Sequence, residues 1–62
     1  MPTLTIKIKM DNAAFSEESG TEVSRILKEY AGTIEGRDFI PSEHESLLDY
    51  NGNIVGEAKV TR

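Results

Sequence analysis

The residues of this sequence best suited to chemistry are its carboxylates and a single histidine. His44 stands between Glu43 and Glu45 in the run HESLL. A zinc site there would need a second nitrogen ligand at helical or hairpin spacing, and HESLL lacks the second histidine of an H-E-x-x-H helix. Asp49, Asn51 and Asn53 repeat the odd-numbered oxygen ligands of a calcium loop. Glycine must follow the third of those ligands, where Ile54 stands, and the twelfth position is Val60 instead of glutamate. In DNAAFSEESG the same test fails at Ala13. Turn chemistry accounts for both stretches: Asn51-Gly52 closes a hairpin, and Asp11 or Asn12 makes an Asx turn. No metal and no cofactor is expected.

Adjacent Glu17 and Glu18 could act as general acid and base only inside a pocket that pushes their pKa values apart. A chain of 62 residues buries only about 60% of its unfolded surface, which leaves no room for such a pocket beside a core. No cysteine, Ser-His-Asp order, P-loop or G-x-G-x-x-G is present. The chain is therefore read as a non-enzyme. The lack of cysteine also removes disulfides, so cytosol is the default compartment. MPTLTIKIKM alternates polar with apolar residues, unlike a signal peptide or a membrane span, and no membrane partner is expected.

Eleven Asp and Glu against seven Lys and Arg give a net charge of −4. That field repels phosphate backbones and favours basic partners, so direct nucleic-acid binding is not expected. Aromatic residues make up 6% of the chain and are mostly wanted by the core, which argues against a base-stacking surface. Asp11, Glu17, Glu18 and Glu22 gather at the entrance of the helix described next, and Glu29, Glu35, Asp38, Glu43 and Glu45 continue along it and the loop that follows. Converging on one side, these nine would form an anionic surface fit for a Lys/Arg-lined groove. Dispersed, they would be ordinary solvating charge.

The elements that carry these groups follow from periodicity. Leu4, Ile6, Ile8 and Met10 share one face of a half-buried strand while Thr3, Thr5, Lys7 and Lys9 share the other; Pro2 and the lysines suit an edge. Val23, Ile26, Leu27, Tyr30, Ala31 and Ile34 form one helical stripe, opposite Glu22, Arg25, Glu29 and Thr33. Ser19 with Glu22 makes a capping box, Thr21 is a competing N-cap, and Gly36 is a natural stop. Residues 37–46, RDFIPSEHES, are read as a loop whose Phe39 and Ile40 tuck under the core edge.

SLLDYNGNIVGEAKVTR reads as a hairpin. A three-residue Tyr50-Asn51-Gly52 loop, with Gly52 in a bulge, sets Leu48 opposite Ile54 and is preferred over a two-residue Asn-Gly turn. It collects Leu48, Ile54, Gly56, Ala58 and Val60 on the buried face and leaves Asp49, Val55, Glu57 and Lys59 outside, with Val55 misplaced. The expected fold is a single α+β domain over residues 1–62. It is a two-layer β-α-β-β sandwich with strand order 1-3-2, every pairing antiparallel, and Gly56 and Ala58 leaving room for the helix. The alternative pairs the first two strands in parallel through a right-handed crossover.

LTIKIKMDNAAF, EVSRILKEYAGTIEG and LLDYNGNIVGEAKV, spanning residues 4 to 60, resemble a group of very short proteins encoded by bacteriophages and prophages. The most recognisable pieces are Asp11-Asn12-Ala13-Ala14-Phe15 and Asn51-Gly52-Asn53. Small acidic phage proteins of this kind include anti-CRISPR inhibitors, several of which present acidic surfaces to the DNA-binding sites of CRISPR effector complexes. The resemblance implies a phage-encoded inhibitor of a CRISPR–Cas effector subunit, such as one of a type I surveillance complex, acting in the cytoplasm of the bacterial host; a monomer is expected over a dimer. It implies no catalytic residue. A small phage adaptor or assembly protein using an apolar patch, such as Val55 or Phe39, is the alternative.

Overall fold

The computed structural model describes residues 1–62. Strand β1 (Thr3–Ile8) leads through a 3-10 turn at Ala13–Phe15 into helix α1 (Ser19–Ile34), followed by β2 (His44–Leu48) and β3 (Ile54–Thr61). The strands form one antiparallel sheet in the order β1-β3-β2, with α1 packed on one face. The α+β sandwich and the central position of the last strand are as the sequence indicates. The segment 37–46 is only partly loop, because its last three residues belong to β2.

Helix α1 ends as its sequence dictates and begins differently. Gly36 takes a left-handed φ of +84° just past the last turn, and Arg37 donates its backbone N–H to the Ile34 carbonyl at 3.3 Å. At the other end neither Ser19 nor Thr21 is the N-cap. That place is held by Glu18, itself left-handed at φ 49°, with no side-chain cap bond. The capping box fails because the Glu22 carboxylate turns inward to Arg25 and the Tyr50 N–H instead of back toward Ser19.

Ala14, Phe15, Ile26, Tyr30, Leu47, Val55 and Ala58 form the core, with Ile8, Val23 and Ile34 at its margin. The aromatic plug is Phe15, 5% exposed, which the 3-10 turn tips inward. Phe39 and Ile40 do not tuck under the edge; they are 40% and 65% exposed. The helix leans toward the 3-10 turn and β2. Leu27 therefore stays exposed, the buried stripe rotates to Glu22, Ile26 and Tyr30, and the inner face of β1 is left partly bare at Leu4 and Ile6. Met10, expected to share the strand's buried face, lies beyond its end and is exposed.

The hairpin has the three-residue loop. Asp49 donates its N–H to the Asn53 carbonyl at 2.9 Å, Gly52 donates to Asp49 at 3.0 Å, and Gly52 sits at φ +85°. Leu48 pairs with Ile54 as expected, but Leu47 pairs with Gly56, so Val55 is an extra residue in β3. This second bulge reverses the expected faces beside the turn. Val55 points into the core, whereas Leu48 and Ile54 point out at 46% and 71% exposure, and Asp49 is buried. Gly56 also has a different purpose from the one expected. A Cβ there would lie 2.0 Å from the Lys7 carbonyl, so it is the β1 backbone, not the helix, that requires glycine.

Candidate partner-binding surface

Two buried carboxylates tie together the end of the molecule where α1 begins. Asp49, 4% exposed, accepts the backbone N–H groups of Asn51 and Asn53 at 2.9 Å each. Its second oxygen accepts the side-chain amides of Asn12 at 2.8 Å and Asn53 at 3.2 Å. Asn12 in turn accepts the Ala14 N–H at 2.9 Å, forming the expected Asx turn and linking the 3-10 turn to the hairpin. Burial pushes the Asp49 carboxyl up, yet the donors from Asn53, Asn12 and Asn51 outweigh it and hold the group below its ordinary value. Both Asp49 oxygens are occupied by N–H donors, so the calcium-like spacing is a turn cap.

Glu22 was expected on the solvent-facing acidic surface and is instead 7% exposed. It takes a two-pronged contact from Arg25, at 2.8 and 2.9 Å, and the Tyr50 N–H at 2.9 Å. The Arg25 hydrogen bonds hold its carboxyl below the usual range against the opposing effect of burial. Arg25 also donates to the Leu48 carbonyl at 3.1 Å and pairs with Glu29, and its own pKa is raised. No buried side-chain polar atom lacks a partner. The shifted carboxylates therefore report satisfied hydrogen bonds that lock the hairpin to the helix.

Of the nine acids singled out in the sequence, five line one of two depressions, the first at the α1 entrance and the second between α1 and β2, and a sixth, Glu43, immediately precedes β2. Glu17 and Glu18, with Thr21 and Tyr50, line a shallow depression of about 380 Å³ that reaches Glu22. Glu29 and Glu45 line a second of about 160 Å³ between α1 and β2, beside Tyr30 and Leu48. Glu43 is close by in sequence, half-buried, paired with Arg37 at 3.0 Å and accepting the Ile40 N–H at 2.6 Å. That arginine holds its carboxyl low. Burial and then the charges of Glu45 and Glu43 push the Tyr30 hydroxyl up. Asp11, Glu35 and Asp38 are exposed but line neither depression.

This region, the helix entrance together with the α1–β2 seam, thus carries six carboxylates and two guanidiniums. Its freely exposed acids are Glu17 and Glu18, with Glu29 exposed but paired. Two parts of it went unrecognised in the sequence, the exposed Tyr50 and the neutralising Arg37; the Glu22–Arg25–Glu29 spacing was visible, though not its burial. Lys7, Lys9 and Lys59 belong to the other face of the sheet and make no ion pair. The separation of charge is partial, since Lys28 is exposed on α1 and Glu57 stands opposite Lys7 on the lysine face.

The chain matches no known protein family, no curated protein and no solved structure. No helix in it is long and apolar enough to cross a membrane.

Proposed function

We propose that this protein is a non-enzymatic inhibitor that works by occupying a basic, polyanion-binding surface of another protein with its α1–β2 seam. The target class we propose is a CRISPR–Cas effector in the bacterial cytoplasm, such as a type I surveillance complex, with the inhibitor itself a phage-encoded monomer. One observation carries the proposal: the acids of the helix entrance and the α1–β2 seam outnumber the arginines among them, while the strand lysines lie on the open face of the sheet. A rigid display of carboxylates offers a cationic groove the charge pattern of a polyanion, and such contacts set association rate and specificity. The test is capture of effector subunits on the immobilised protein followed by competition with DNA. The proposal expects capture that DNA reverses. Capture indifferent to DNA, or none from any effector, would contradict it.

A second reading has its own support. Leu4 and Ile6 face the helix side of the sheet yet are each 38% exposed, and Leu27 is 39% exposed. An adaptor would bury such a strip against a partner or a second copy. Light scattering at two protein concentrations separates the two, because the inhibitor reading predicts an unchanged mass.

A further inference from the structure

The open face of the sheet, away from α1, is built unlike the acidic seam. Along the strands its outward residues pair as Thr3 with Thr61, Thr5 with Lys59 beside His44, and Lys7 with Glu57 beside Ser46. Lys9 follows Lys7 on the same face, so three lysines stand against one carboxylate, and none of the lysines is in an ion pair. At the hairpin end the bulge at Val55 turns Ile54 outward beside these lysines, 71% exposed, and its cross-strand partner Leu48, 46% exposed, stands at the β2 edge, where it also borders the α1–β2 depression. Lys7, Lys9, His44, Ile54 and Glu57 line a shared depression of about 310 Å³.

An outward Leu–Ile pair exposed beside unpaired lysines is what a partner with the complementary pattern would bury. We propose that this face is a second docking surface, which takes an acidic polypeptide segment carrying an apolar anchor. The anchor seats on Ile54 and Leu48, and the carboxylates meet Lys7, Lys9 and Lys59. Charge complementarity sets the sign of the partner. The apolar pair, the Glu57 carboxylate in the middle of the face and the absence of any Phe, Tyr or Trp on its strands favour a polypeptide over a nucleic acid, which needs stacking platforms and a uniformly cationic track.

The test uses the full chain and labelled probes followed by fluorescence anisotropy: a short peptide alternating Glu with Leu, its Glu/Ser and Lys/Leu counterparts, and an oligothymidylate. The Glu/Leu peptide should bind best, and the variant Lys7→Glu/Lys59→Glu should weaken it about tenfold or more, as expected for the loss of several modest charge contacts. Ile54→Ser should bring the Glu/Leu peptide down to the level of the Glu/Ser one. All three positions are exposed, and circular dichroism checks that the variants remain folded. Failure of the Glu/Leu peptide to bind, binding indifferent to these substitutions, or tighter binding of the oligonucleotide or the Lys/Leu peptide would overturn the proposal. Reversals at Glu17 and Glu18 on the seam should leave this binding unchanged, so it stands or falls separately from the inhibitor function.

Discussion

Gly56 and Asp49 show how little slack a domain of this size has at single positions. With its Cβ aimed at the Lys7 carbonyl, Gly56→Ala must push β1 away from β3, and we expect a loss of about 1–3 kcal/mol in urea denaturation, the range for overpacking. Asp49→Ala removes the acceptor of four N–H donors from three asparagines, so its midpoint should fall well below that of Glu35→Ala, where nothing is bonded to the side chain. The shifted carboxylates give stability a pH dependence of definite sign. Glu22, Glu43 and Asp49 titrate below their ordinary values of 4.5 and 3.8 in the fold. Their contribution is therefore complete above those values and is lost as pH falls through the lower folded ones. Tyr30 runs the other way: its raised pKa means stability present below the ordinary 10.0 and lost as pH rises past it. A melting series across pH should show a plateau between these limits. Local turn residues, Asn12, Gly36 and Gly52, were legible in the sequence because a few neighbours decide them. The burial of Asp49 was not, since one of its donors, Asn12, lies 37 positions away.

At the level of elements, periodicity was enough to place the strands and the helix, because each apolar face must be covered by another, while the order β1-β3-β2 was a preference for all-antiparallel pairing over a parallel alternative, and the structure has that order. Periodicity could not say which way the helix leans, nor that one extra residue in β3 would exchange the faces of Leu48, Ile54 and Val55. The sequence reading also placed Phe39 under the core edge, where the structure leaves it 40% exposed, and did not single out Phe15 as the buried ring. Phe15→Ala should cost about 3–5 kcal/mol, the range for emptying a buried aromatic position, and that is much of the stability of a small domain. Phe39→Ala, at a ring 40% exposed and stacked only under Arg37 at 5.9 Å, should stay within about 0.5 kcal/mol. The two melts side by side check the packing of the 3-10 turn. The strained entrance to α1 gives another check. Glu18 holds a left-handed conformation that glycine adopts freely, so Glu18→Gly should raise stability by about 0.5 kcal/mol in the same denaturation assay.

Over the whole molecule, the acids of the helix entrance and the α1–β2 seam and the lysines of the open sheet face are the surfaces with which, on the proposed function, this small domain would recognise partners. The candidate site was only partly legible, since sequence reveals how many carboxylates there are but not which are turned inward. Glu22 is consumed by the scaffold, and Glu29 and Glu43 are shared with arginines. Exposed charges act across the solvent and weaken with ionic strength, so partner binding by the seam should decline steadily as salt rises, whereas an apolar contact through Leu4, Ile6 and Leu27 should not. The most direct measurement is displacement of labelled DNA from a captured effector complex by the wild-type protein and by the Glu17→Lys/Glu18→Lys/Glu29→Lys variant, each shown to be folded. The account predicts that the wild type displaces DNA and that the variant needs at least about tenfold more protein to do so, several modest charge contacts having been reversed together. Equal displacement by the two proteins would contradict it.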